Sequence, residues 1–141
     1  MPEFNRRLRR LQLLRLRFQL RQQREARVLA ELAIAFGTAS SLLEELNALR
    51  SHYVEIESAL GMPAQILGSI RRKLGELALA HTEQRRQVAW LDEQRLQSVA
   101  AIQSLRLRLE HIDQVMAETR RQDMNARELA ETLMRAPRTH E

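Results

Sequence analysis

A chain of 141 residues with 29% charged residues, 4% aromatics, four Gly and three Pro holds one domain or one extended module, and its composition speaks against a sheet protein. Cys is absent, which excludes disulfide frameworks and thiolate metal sites and fits a reducing, intracellular setting. The net charge of +5 is concentrated: residues 1–27 carry nine Arg against Glu3 and Glu25, a local +7, so the remainder sums to −2.

The chain opens on Arg6, Arg7, Arg9, Arg10, Arg15 and Arg17 among leucines. Lacking an apolar core and a small-residue cleavage site, this opening is not a secretory signal. Its readings are a docking surface for an acidic partner, a binder of nucleic acid or an anionic membrane face, or a solvated coiled-coil flank. A transit peptide is a fourth, weakened by the absence of Ser. No uninterrupted apolar run reaches the roughly 18 residues of a membrane span, so no span is expected.

From Val28 the apolar positions run Val28, Leu32, Ala35, Ala39, Leu42, Leu46, Leu49, Tyr53, Ile56 and Leu60. The steps alternate four and three, the heptad spacing of a coiled-coil seam. Run backwards, the register passes through Glu25, Arg21, Phe18, Leu14 and Leu11, which predicts one helix from about residue 4 to about 60. Beside it lies a second stripe, Leu29, Phe36 and Leu43, each seven residues apart. That stripe is either a site for another protein or a second copy, or a broader core covered by the partner helix. Gly37 to Ser41 is the weakest stretch, expected to accommodate Trp90 opposite it, with a hinge or helix break as the competing account.

Gly61-Met62-Pro63 marks the turn, with Gly ending one helix and Pro opening the next. A second series follows: Leu67, Ile70, Leu74, Leu77, His81, Gln84, Val88, Leu91, Arg95, Ser98, Ile102, Leu105, Leu109, Ile112 and Met116. A weaker continuation through Ala126, Ala130 and Leu133 approaches Pro137, where a helix stops. The predicted second helix covers about 64–135, with a short C-terminal tail. Gly61, Gly68 and Gly75 recur every seven residues near the turn, by chance or to give close backbone approach or a pliable tip.

A turn this short folds the helices back antiparallel, with positions i and j facing where i + j is roughly 120–124. The polar breaks Arg21 and Glu25 then fall level with Arg95 and Ser98, and Glu25 meets Arg95. The fold class is all-α, a long two-helix antiparallel coiled-coil hairpin, a rod on the order of 80–100 Å. Such a rod leaves most of its surface wet, which predicts marginal stability and reliance on partners.

Catalytic constellations are missing. His52, His81, His111 and His140 are scattered; no metal-binding helix pair, phosphate loop or nucleophile elbow is present. The expectation is a protein that binds other proteins, not an enzyme, with no cofactor, no metal and room for self-association.

The opening Leu8, Leu11, Leu14, Arg15 and Arg17, then Arg24-Glu25-Ala26, a long Ala/Leu/Glu/Gln heptad tract and a turn near residue 62 resemble the stalk proteins of type III secretion and flagellar export (the FliJ/YscO/HrpO family). The resemblance spans nearly the whole chain. It departs in an opening poorer in acids and in the Gly-spaced tip. It implies a cytoplasmic coiled coil, peripheral to the inner membrane and serving virulence-type secretion. Such a stalk sits in the pore of a hexameric export ATPase and links it to the export gate and secretion chaperones. Arg6, Arg7, Arg9, Arg10, Arg15 and Arg17 would meet the ATPase, and the tip around Tyr53, Gly68, Arg71 and Arg72 would meet the gate. A generic scaffold or chaperone-like adaptor is the alternative; a nucleic-acid binder is disfavoured because Phe4 and Phe18 make no stacking platform.

Overall fold

The computed structural model describes residues 2–59 and 61–135. The expected C-terminal tail, with Pro137 and His140, and the seam position Leu60 lie outside the described residues. Two α-helices make up the fold: α1, Pro2–Glu57, and α2, Ala64–Arg135. No strand occurs among the described residues. Long runs of Leu, Ala, Gln, Glu and Arg, free of interior Pro, explain their length. The chain is an all-α, two-helix antiparallel hairpin, as its heptads predict.

The helix bounds follow from local chemistry. α1 ends three residues earlier than expected: the Ser58 N–H donates to the Val54 carbonyl and the Ala59 N–H to Ile56, each at 3.1 Å. Gly61 then takes φ +81°, a left-handed conformation that costs a side chain dear. The Pro63 carbonyl accepts the Leu67 N–H at 3.0 Å, opening α2; the missing N–H of Pro63 costs nothing there. Through Gly37–Ser41, α1 is unbroken.

Two compact units form by contact: Arg27–Val99, and Met1–Ala26 with Ala100–Glu141. The first contains the turn. Here Ala39 of α1 and Ile70, Leu77, Leu91 and Ser98 of α2 are buried. Gln84 Nε2 donates to the Ala39 carbonyl at 3.0 Å, reaching the backbone because Ala39 is small. In the second unit, Leu105, Ile112, Met116, Thr119 and Asp123 are buried on α2. Asp123 pairs with Arg127 at 3.1 Å. Arg15 binds Asp113 at 2.7 Å and Phe18 lies under Arg108; α1 indices rise as α2 indices fall, so this pairing is antiparallel too.

Every member of the predicted α2 series, Leu67 through Met116, is buried or half-buried, and Thr119, Asp123 and Ala126 extend it; Ala130 and Leu133 are exposed. The α1 seam differs from expectation. Its covered positions are Phe4, Leu11, Phe18, Glu25, Leu32, Ala39, Leu46 and Tyr53 (d), alternating with Leu8, Arg15, Gln22, Leu29, Phe36, Leu43 and Glu57 (a). The predicted seam had the d row right but took the next row, Leu14, Arg21, Val28, Ala35, Leu42 and Leu49 (g), for a. These six are exposed, whereas Ile56, which the predicted seam also placed in that row, is half-buried.

One further expectation is corrected. Trp90 is 53% exposed, and a Cβ at Gly37 would meet nothing within 4 Å, so the small residues do not make room for it. Arg95 pairs with Asp92 at 2.7 Å and lies 4.3 Å over the Phe36 ring. An 18-residue window within Glu3–Glu57 averages a mean hydropathy of 1.4, enough by length and composition to cross a membrane. Polar residues such as Glu31, Thr38, Ser40 and Ser41 interrupt the apolar stretch of that helix, so it holds no uninterrupted apolar run of that length. In Arg27–Val99 the apolar residues Leu29, Leu32, Phe36 and Leu43 are half-covered, with Arg95 over Phe36.

Candidate protein-docking surface

Heptad geometry gives each helix pair two flanks. Cross-helix charge contacts gather on the one built from a and e positions. In Arg27–Val99 these are Arg71 with Glu57 at 3.3 Å and Arg95 over Phe36. In the other unit Arg15 pairs with Asp113 on that flank, while Arg108 lies over Phe18 on the opposite one. The flank built from d and g positions is apolar and open. In Arg27–Val99 it presents Val28, Leu42 and Leu49 of α1, 42–45% exposed, and Ile66 of α2, 50% exposed. A groove of about 430 Å³ opens there, between Tyr53 and the stretch Gln65–Lys73. In the terminal unit a groove of about 400 Å³ is lined by Leu14, Phe18, Leu107, Arg108, His111 and Ile112.

The basic opening resolves into faces once the seam is known. Arg6, Arg7, Arg9, Arg10 and Arg17 are exposed. None has an acidic partner within 4 Å among the described residues, whereas Arg15 is held by Asp113. Arg6, Arg7 and Arg10 frame a shallow depression with Glu3. Opposite the seam, Leu13, Leu16 and Leu20 stand 63%, 51% and 45% exposed. With Arg6, Arg9, Arg10, Arg17 and Arg24 they form an outer face dominated by Arg and Leu, with Gln23 among them. Sequence periodicity missed these three leucines as a group because they interrupt no heptad row; their spacing of three and four between arginines was the available signal.

Of the predicted sites, Leu29, Phe36 and Leu43 occupy the a row and are half-covered, with Phe36 under Arg95. At the turn, Tyr53 is half-buried in its groove, Arg71 is tied to Glu57, and Gly68 and Arg72 are exposed. A Cβ at Gly68 or Gly75 would meet nothing within 4 Å, so neither serves close backbone approach. Among the described residues no group of three or more His, Asp or Glu is placed to hold a metal. No protein-family model, curated protein or solved structure matches this chain.

Proposed function

We propose that this chain is the coiled-coil stalk component of a type III protein export apparatus. In this reading it binds the hexameric export ATPase and connects it with the export gate and secretion chaperones. The resemblance of its opening, heptad tract and turn to that family motivates the assignment. The observation that carries it is the cluster Arg6, Arg7, Arg9, Arg10 and Arg17, exposed and without acidic partners among the described residues. Five unneutralised guanidinium groups within 12 residues of one helix repel each other until an acidic surface covers them.

Arginine suits such a contact, since its planar fork engages carboxylates in two hydrogen bonds at once. A helix pair of two unequal flanks, one charged and one apolar, presents a ring of identical subunits with a different surface on each side. Contact with one subunit at a time would let the stalk bias ATP hydrolysis around the ring. Residues Tyr53, Gly68 and Arg72 would face the gate. Placing the hairpin in the cytoplasm suits α2: opposite the apolar part of α1 it carries Arg85, Arg86, Asp92 and Glu93, charges costly to bring into a bilayer.

Capture of the cognate export ATPase by the full chain tests the reading. Reversing Arg6, Arg7, Arg9, Arg10 and Arg17 to Glu should abolish capture and any stimulation of ATP hydrolysis. Undiminished capture by that variant discards the assignment. A scaffold or adaptor role shares the hairpin and its open apolar flank, but predicts no capture by the wild type. Nucleic-acid binding finds little support: Phe18 lies under Arg108 and Phe4 occupies a half-buried seam position, so the two rings make no stacking platform.

A further inference from the structure

The open d/g flank of Arg27–Val99 has a rim as well as a floor. Its floor is Val28, Ala35, Leu42 and Leu49, and its edges carry exposed Glu31 and Glu45 on α1 and Glu76 and Glu83 on α2. Glu31 and Glu45 have no basic partner within 4 Å among the described residues, while Glu76 and Glu83 make only long contacts of 3.6 and 3.7 Å to Lys73 and Arg86 on their own helix. An apolar floor with an acidic rim calls for a helix whose leucine ridge is bordered by cations. The Arg6–Arg24 segment of this chain is such a helix: Leu13, Leu16 and Leu20 form the ridge, and Arg9, Arg10, Arg17 and Arg24 flank it.

We infer that this acid-rimmed apolar flank binds the Arg/Leu face, residues 6–24, of a second copy of the chain. The donor face cannot fill the floor of its own copy, because both lie on the unbroken α1 and a continuous helix does not double back on itself. The lengths agree: donor and floor span about 28 Å and 33 Å at 1.5 Å per residue. Seating one helix over that length buries roughly 600 Å² on each side, the lower range of specific interfaces. The contact is head-to-tail, so each pair of copies keeps one free donor and one free acceptor, and the association grows into chains. It requires no ATPase. It also covers the arginines proposed for ATPase docking, so the two contacts exclude one another.

Sedimentation velocity of the full chain in low salt should show oligomers that grow with concentration. The rim and ridge charges are exposed, so affinity should fall about tenfold on raising the salt to roughly 0.5 M. Leu42→Glu destroys the acceptor and Leu13→Glu with Leu20→Glu destroys the donor. These positions are 45%, 63% and 45% exposed, and circular dichroism checks that each variant keeps its helices. Each variant alone should be monomeric. Mixed in equal amounts, they should form a dimer that grows no further, since one intact donor and one intact acceptor remain. A wild type that stays monomeric in low salt overturns the inference. So does oligomerisation that survives the donor substitutions, which would indicate a symmetric apolar contact, or a mixture that stays monomeric.

Discussion

The two helices contribute unequally to one seam. Among the described residues, the buried apolar side chains are Ile70, Leu77, Leu91, Leu105, Ile112 and Met116 on α2, against Ala39 alone on α1. α1 instead lays large, half-exposed side chains such as Leu32 and Phe36 over that row. The difference teaches that a two-helix coil need not share its core evenly. One helix supplies compact Leu and Ile that are covered, and the other supplies the cover and keeps a wet back. Truncations should therefore be costlier on α2 than at matching heights on α1.

The largest expected effect is at Leu91. It is 5% exposed, so Leu91→Ala should destabilise the hairpin by about 2–4 kcal/mol in urea unfolding. Leu32→Ala, in the covering row, should cost about 1–2 kcal/mol because part of its surface is already in water. Leu79→Ala, at 74% exposure, serves as the control and should stay within about 0.5 kcal/mol. A Leu32 cost equal to or above that of Leu91 would remove the asymmetry.

Phe36 probes the cover itself. Its ring lies beneath the Arg95 guanidinium, and loss of both packing and cation–π attraction in Phe36→Ala should cost about 1.5–2.5 kcal/mol. Phe36→Leu keeps most of the packing and removes the ring, so it should recover all but about 0.5–1 kcal/mol of the loss. Equal stability for Phe36→Leu and wild type would show that the arginine contributes coverage without attraction.

How legible this was in the sequence differs by helix for the same reason. α2 has two continuous seam rows, and its other apolar residues, among them Leu79, Trp90, Leu96 and Leu107, build no third continuous row, so its period identifies the seam even through His81, Gln84, Arg95 and Ser98. α1 has three rows rich in apolar residues. Leu29, Phe36 and Leu43 compete with Val28, Ala35 and Leu42 for partnership with the shared Leu32 and Ala39 row, and spacing alone cannot rank them. Bulk can: Phe36 and Leu43 fill more of the seam than Ala35, and they are the ones half-covered. Gln84 reaches the Ala39 carbonyl within the expected register, whereas the longer cross-helix side-chain pairs meet beyond it. Helical side chains lean toward their own N-terminus, so in an antiparallel pair the two leans add. Phe36 meets Arg95 and Glu57 meets Arg71 for that reason. The Gly-Pro turn was plain, as was the basic opening. The split of its arginines between one paired residue and an exposed face was not, because it depends on Asp113, 98 residues away.

The glycines of α2 set a smaller, stabilising prediction. A methyl group at Gly68 or Gly75 meets nothing, and both sit inside the helix, where Ala is favoured by roughly 0.8–1 kcal/mol. Gly68→Ala and Gly75→Ala should each raise stability by about that amount. Gly61→Ala should lower it by about 1 kcal/mol, since its φ of +81° lies in the left-handed region. Should Gly68→Ala prove destabilising, the turn end of α2 would be looser than a regular helix.

Smallest of all is the ion pair Arg15–Asp113, 2.7 Å long with side chains 39% and 53% exposed. A double-mutant cycle with Arg15→Ala and Asp113→Ala should give a coupling of about 0.2–1 kcal/mol, shrinking as salt rises. Its interest lies in what it does to the basic segment. Arg15 occupies an a position that a leucine would fill in an ordinary heptad, and its neighbours in that row include Leu8 and Leu29. Arg15→Leu therefore exchanges a weak, screened charge contact for apolar cover. It should be neutral or stabilising, by about 0.5–1 kcal/mol. A clear loss of stability would mean that the carboxylate of Asp113, left without its cation, matters more than exposure suggests, and that the charged flank contributes to the seam almost as its leucines do.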